Sequence, residues 1–252
     1  MNGYLTKAFV LRKIDLKEAD ELVTLFSLDK GKIKVIAKGI KKARSRNVGN
    51  LELLNLIEVY LIPGKQFEIV TQVKVLESFQ ELKSDLDQIS VLYYLAELID
   101  KLVGENESIP EAFTLLGDFL NWFKNNSKSA LKNFYLRGLE LKLIQTLGFA
   151  PEVYVCVRCR KKLSEKEKKY FNFSLGGILC EQCGRIEEGV PVSNEAIKIL
   201  RLIGSSNFYF GIKLQVKESD QKVAEHSIQQ YLHWVLAREL KTLAVTHALK
   251  RV

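Results

Sequence analysis

The chain has 252 residues, with 38 Lys+Arg against 30 Asp+Glu for a formal net charge of +8, and 47% of its residues are hydrophobic. Its length predicts two or three compact units rather than one continuous core, and its balance of apolar and charged residues excludes a disordered or collagen-like chain. The basic excess favours polyanionic partners, either nucleic acid or an acidic membrane surface.

The start Met1-Asn2-Gly3-Tyr4-Leu5-Thr6-Lys7 has no secretory-signal pattern. No stretch reaches the roughly 18 apolar residues of a membrane span, because residues 51–62 are broken by Glu52, Asn55 and Glu58. A soluble cytoplasmic protein is expected. Charge is uneven along the chain: residues 1–80 hold 14 Lys+Arg against 9 Asp+Glu, and residues 81–151 hold 7 against 10. Net charge returns to +2 over residues 152–190 and +4 over residues 191–252. There is no internal repeat and no low-complexity tract, so a solenoid or long tail is not expected.

Residues 5–12, 21–28, 32–38, 51–62 and 67–76 read as five short strands. Asp29-Lys30-Gly31-Lys32 and Pro63-Gly64-Lys65 supply the glycines that tight hairpin turns demand. Five strands are too few for a two-sheet sandwich and suit a small barrel of the OB type, with an SH3-like barrel as the alternative. Beyond residue 80 the spacing becomes helical. Ser84, with Asp87 three residues on, predicts a cap for a helix with Ile89, Leu92, Tyr93, Ala96, Ile99, Leu102 and Val103 on one face. Ser108 and Pro110 open a second helix carrying Phe113, Leu116, Phe119, Leu120 and Phe123, and a third runs over residues 130–147 to Gly148. Residues 193–203 and 219–247 are also predicted helical. The expected fold class is α+β multidomain. It has an OB-fold-like barrel in residues 1–80, a helical domain in residues 81–150 and 191–252, and an inserted four-cysteine zinc module in residues 151–190.

The four cysteines stand as Cys156-Val157-Arg158-Cys159 and Cys180-Glu181-Gln182-Cys183, with twenty residues between the pairs. Each two-residue gap lets both sulfurs of one turn point at the same ion, which predicts one tetrahedral Zn²⁺, with unmetallated buried thiols or a disulfide pair as the alternatives. Four protein ligands leave no position for water, so this zinc is expected to be structural. Gly176, Gly177 and Gly184 are expected to give these turns backbone freedom.

Residues 30–46 carry Lys30, Lys32, Lys34, Lys38, Lys41, Lys42, Arg44 and Arg46 with no acidic residue. In a strand, Lys32, Lys34 and Lys38 share one face opposite Ile33, Val35 and Ala37, so burial of the apolar face aims the lysines outward. The segment from Gly39 to Arg46, with Ser45 as a hydroxyl donor, reads as a basic loop able to wrap phosphates. Lys32, Lys34, Lys38, Lys41, Lys42, Arg44 and Arg46 are therefore the candidate DNA-binding residues. A solvated strand that blunts a sheet edge is the competing reading. Of the nearby aromatics, Phe9 and Phe26 read as core, whereas Tyr4, Tyr60 and Phe67 could offer a ring to a base.

His226, His233 and His247 have no metalloprotease arrangement, and the chain has no nucleophile elbow, phosphate loop or deaminase pairing. An enzyme is not expected. A zinc hydrolase would require fewer than four cysteine ligands and a bound water.

This order of parts resembles the bacterial RecO recombination mediator family along nearly the whole chain. The resemblance is carried by Leu22-Val23-Thr24-Leu25-Phe26-Ser27 leading to Gly31-Lys32-Ile33, then by Ala37-Lys38-Gly39-Ile40-Lys41-Lys42 and Arg44-Ser45. It continues in Phe173-Ser174-Leu175-Gly176-Gly177-Ile178-Leu179-Cys180. It implies a non-enzymatic protein that binds single- and double-stranded DNA, anneals complementary strands and helps load RecA onto strands coated by single-stranded DNA-binding protein. It also implies action with RecR, and in many bacteria with RecF, at a cytoplasmic, nucleoid-associated location. In that family the helical domain receives the acidic, apolar tail of single-stranded DNA-binding protein. Lys124, Lys128 and Lys132, at four-residue steps close to Arg137 and Lys142, are the candidate basic rim for it. An RNA-binding or transcription-associated factor built from a basic barrel and a zinc ribbon is the alternative.

Overall fold

The computed structural model describes residues 3–16, 18–40, 49–212 and 216–236. They fall into two compact units, one within Met1–Thr114 and one within Leu115–Glu239.

The first unit contains β1 (Tyr4–Asp15), β2 (Glu21–Ser27), β3 (Gly31–Ala37), β4 (Leu56–Ile62), β5 (Glu68–Glu77), α1 (Gln80–Lys83), α2 (Leu86–Leu102) and the start of α3 (Pro110–Asn126). The strands close into a barrel in the order β1-β2-β3-β5-β4, which is the OB-like architecture. Neighbouring strands are antiparallel except β3 and β5, which run parallel and pair only at Val35 with Glu68 and Ile36 with Ile69. Period-two alternation sends Ala8, Val10, Val23, Leu25, Ile33, Val35, Ile57, Val59 and Leu61 into one buried cluster. Gly31 opens β3 at φ +65°, and a Cβ there would lie 1.7 Å from the Glu107 carbonyl oxygen, so only glycine fits.

Phe9 and Phe26 are fully buried, but on the outside of the barrel. Phe113 covers them, with ring centroids at 4.8 and 5.6 Å. Each such ring taken from water contributes about 1.5–3 kcal/mol. This apolar cover joins residues 80–114 to the barrel, and the boundary between the units falls inside α3. Two local expectations change. The fourth strand starts at Leu56 rather than residue 51, because Leu54 takes φ 51° and Asn55 turns its amide onto the carbonyls of Gly49 and Asn50. Asp85, not Ser84, caps α2, accepting from the Asp87 and Gln88 amides, while Ser84 ends α1. That frame buries Tyr94 and leaves Tyr93 exposed.

The second unit contains the rest of α3, α4 (Lys132–Thr146), β6 (Lys169–Asn172), β7 (Gly177–Leu179), α5 (Glu181–Ile186), β8 (Val190–Val192), α6 (Asn194–Gly204) and α7 (Glu218–Leu236). Leu116, Phe119, Leu120 and Phe123 are buried as their spacing predicts. Ser193 caps α6 by accepting from the Ala196 amide, and Gly148 follows α4 at φ +85°. Strands β7, β6 and β8 form a small sheet in that order. The expected last helix is described to Leu236; residues 237–247, including His247, lie outside the described residues. Among the described residues no helix is long and apolar enough to cross a membrane.

Candidate functional site

The four-cysteine cluster that could hold a metal is assembled from two turns beside the small sheet. Cys156 lies on the first turn, fixed by its own amide donating to Lys161 O at 2.8 Å and by the Val157 amide donating to Ile178 O at 2.8 Å. Arg160, at φ 62°, closes this turn by donating its amide to Cys156 O at 2.8 Å. Cys180 is the N-cap residue of α5 and Cys183 lies within that helix. All four Sγ atoms lie within 4.8 Å of one another, and Cys159 Sγ is 3.8 Å from Cys180 Sγ. A tetrahedron with metal–sulfur bonds of about 2.3 Å has sulfur–sulfur edges of about 3.8 Å, so the donor set fits Zn²⁺. A disulfide needs about 2.05 Å, and all four cysteines are free thiols.

Gly176 alone among the three glycines of these turns uses positive φ, at +69°. Gly177 and Gly184 serve close approach instead: a Cβ would lie 2.6 Å from Glu152 O and 2.1 Å from Tyr170 Cδ2, respectively. Burial disfavours the Cys156 thiolate, but the amides of Cys159, Cys180 and Arg158 and the Cys159 thiol together bring its pKa to about 6. Burial and the other three thiols push Cys183 up to about 12. Bringing four thiolates together thus builds up charge that a bound dication neutralises. Cys156, Cys180 and Cys183 are buried and Cys159 is exposed, with Val157, Leu163 and Tyr170 packed on the cluster.

On the barrel, Lys32 and Lys34 project from the outer face of β3 as predicted from alternation. They meet an acidic segment there. Lys32 Nζ lies 3.4 Å from Asp100 Oδ1 and also donates to Asp100 O, while Lys34 Nζ binds the Glu105 carboxylate. That hydrogen bond holds the Glu105 carboxyl below the ordinary carboxylate value. The backbone joins in, with Asn106 N donating to Lys32 O at 2.9 Å. Lys30 Nζ is 3.1 Å from Glu68 Oε1 and 3.7 Å from the Tyr4 ring centroid. Lys38, beyond the end of β3, is exposed. Lys41, Lys42, Arg44 and Arg46 lie outside the described residues.

Lys38 lines an open groove of about 820 Å³ with Lys65, Phe67 and the apolar side chains of Ile36, Ile62 and Ile69. Sequence reasoning passed over Lys65, which belonged to a turn motif and to no basic run. The acidic partners Asp100 and Glu105 were also missed; their only sequence signal was the negative balance after residue 80.

Lys124, Lys128 and Lys132 do not share one helix: Lys124 is near the end of α3, Lys128 is on the following turn and Lys132 begins α4. Arg137 Nη1 lies 2.6 Å from the fully buried Glu140, and Lys142 donates to Ser205 O at 2.7 Å.

Two family models match this architecture, "Recombination protein O N terminal" over residues 1–79 and "Recombination protein O C terminal" over residues 83–244. The chain belongs to the RecO family. It is 34% identical over 242 residues to the DNA repair protein RecO of Roseiflexus sp. (strain RS-1), covering 96% of this chain and 84% of that protein. It is 31% identical to that of Dehalococcoides mccartyi (strain CBDB1), covering 96% and 94%. It is 28% identical over 253 residues to that of Acetivibrio thermocellus, covering 100% and 99%. RecO membership supports a role in DNA repair and recombination and places the boundary between the two family models at the end of β5.

Proposed function

We propose that this RecO-family chain is a mediator of homologous recombination that binds single- and double-stranded DNA, anneals complementary strands and helps RecA load onto strands coated by single-stranded DNA-binding protein. It acts with RecR, and with RecF where that protein is present, on the nucleoid in the cytoplasm. Family membership along nearly the whole chain carries the reading, and the basic run of residues 30–46 supplies a compatible chemistry. Lysines and arginines neutralise phosphates on two strands and lower the repulsion that slows their pairing. No covalent bond is made or broken, so the protein is not an enzyme. One Zn²⁺ held by Cys156, Cys159, Cys180 and Cys183 is structural, and three of those donors are buried among protein atoms. The tail of single-stranded DNA-binding protein docks at the rim made by Lys124, Lys128, Lys132 and Arg137, where basic groups attract an acidic peptide.

The deciding experiment is the annealing rate of two complementary fluorescent oligonucleotides, each coated with single-stranded DNA-binding protein. The wild type accelerates annealing and a Lys38→Ala/Lys41→Ala/Lys42→Ala variant does not. No acceleration by a folded, zinc-loaded wild type shifts the reading to an RNA-binding or transcription-associated factor.

A further inference from the structure

We propose that the groove between Lys38 and Lys65 seats one unpaired nucleotide of single-stranded DNA, with its base on Phe67 and its flanking phosphates on the two lysines. The inference rests on the DNA-binding reading above and gives it a location.

Three observations lead to this groove. The first is which cations are already engaged. Lys30, Lys32 and Lys34 have carboxylate partners at Glu68, Asp100 and Glu105. Lys38 and Lys65 have no ion-pair or hydrogen-bond partner among the described residues, so a phosphate meets no internal competitor there. The second is which aromatic ring remains open. Phe9 and Phe26 are sealed beneath Phe113. Tyr4 is bound by Glu68 through its hydroxyl at 2.7 Å and covered by Lys30. Tyr60 stands against the Gly3 backbone, where a Cβ on Gly3 would lie 2.7 Å from its ring. Phe67 is the one of these five aromatics that lines the groove.

The third is the shape. Strands β3 and β5 pair at only two positions, and Ile36, Ile62 and Ile69 line the groove beside them. The Pro63-Gly64 turn is tight enough that a Cβ on Gly64 would lie 2.1 Å from Phe67 O, which fixes the backbone that presents the ring. A volume of about 820 Å³ exceeds a single base and lies within the about 300–1,000 Å³ typical of ligand clefts. An apolar floor with one ring between two cations suits an unstacked base and its phosphates. Bases within a duplex are stacked on each other and offer no ring face, so single strands are selected.

The full-length protein is tested with a 30-nucleotide oligo(dT), the matching duplex and a 30-nucleotide oligo(rU), by fluorescence anisotropy. Stacking is worth about 1–3 kcal/mol per base, so Phe67→Ala is expected to weaken oligo(dT) binding about thirtyfold at the middle of that range, with Phe67→Tyr near wild type. Duplex binding by Phe67→Ala is expected to change less than twofold. The Lys38→Ala/Lys65→Ala variant is expected to flatten the logarithmic salt dependence by about 1.4, at about 0.7 per single-strand phosphate. A wild-type photocrosslink from a bromodeoxyuridine-substituted oligo(dT) is expected on the peptide holding Phe67, which decides the matter even where Phe67→Ala fails to fold. If the wild type binds oligo(dT) while the crosslink maps elsewhere, or a folded Phe67→Ala binds oligo(dT) as tightly as the wild type, the groove assignment falls and the DNA reading stands. Tighter binding of oligo(rU) with the crosslink at Phe67 overturns the DNA assignment in favour of RNA. A wild type that binds no oligonucleotide overturns both.

Discussion

Lys32 and Asp100 hold each other across the outer face of the barrel, Nζ to Oδ1 at 3.4 Å, with only 13% and 29% of their side chains exposed. Lys34 and Glu105 repeat the arrangement two residues along the strand. A DNA phosphate reaching either lysine must displace a carboxylate belonging to the same unit. The combined change Asp100→Asn and Glu105→Gln therefore raises affinity for single-stranded DNA several-fold and steepens its logarithmic salt dependence by about 1.4, the share of two further phosphates. Salt titrations of oligonucleotide anisotropy read this directly. An unchanged slope would mean that the strand never approaches these lysines.

The reason acidic residues can stand there lies one position earlier. Gly31 turns the chain into β3 beneath Glu107, and Gly31→Ala imposes both a left-handed backbone on alanine and a collision with the Glu107 carbonyl. The expected loss is about 3 kcal/mol. Urea unfolding measures it. A loss below about 0.5 kcal/mol, the usual scale of a neutral surface change, would show that residues 104–108 move aside without resistance.

The barrel and the cysteine cluster were legible in the sequence for the same reason: both are encoded at short range. Alternation in Ile33, Val35 and Ala37 fixes which face is buried, and a two-residue gap fixes where paired sulfurs point. What covers the barrel is a long-range property. Phe9 and Phe26 read as core, yet nothing near them specifies that Phe113 packs on them from outside the barrel. The outward lysines were likewise read correctly as outward, but alternation cannot say that Asp100 and Glu105 wait there. The four-residue steps of Lys124, Lys128 and Lys132 give no shared helix face, since that needs one continuous helix. Here α3 ends at Asn126 and α4 begins at Lys132.

Lys83 gives the fold a titration of its own. Burial lowers its pKa from 10.5 to about 8, while its ammonium donates to Asn55 Oδ1 and helps hold the turn before β4. A lowered folded-state value means that the unfolded chain binds the proton more tightly. The cost of charging Lys83 is present in full below about pH 8 and disappears as pH rises towards 10.5. Because Lys83 is half solvated, the effect is about 1 kcal/mol. The stability of the wild type relative to Lys83→Met should therefore rise between pH 8 and pH 10.5. Paired urea titrations across that window test it, and a constant difference would mean that the lysine is already fully hydrated when folded.

The proposed zinc should be as local in its energetics as it is in its ligands. Cys156 and Cys159 come from one turn and Cys180 and Cys183 from the next, with β6 and β7 between them in a three-stranded sheet. Around the thiols the cluster holds one fully buried apolar side chain, Leu179, with Val157, Leu163 and Tyr170 partly buried against it. Metal-binding energy therefore adds to the small apolar core that Val153, Phe171, Ile178 and Leu179 give residues 150–190, and Cys156→Ser with Cys180→Ser removes it without touching the barrel cluster. Hydrogen exchange should show protection lost over residues 150–190 and retained in β1 to β5, and the bound metal should fall from one equivalent to none. The same ligands make affinity fall with acid, because protons compete for each thiolate; a zinc-release titration should lose metal as pH drops, and chelation at neutral pH should reproduce the exchange pattern of the double variant. Loss of barrel protection in either experiment would contradict a local role and tie the metal to the stability of the whole chain.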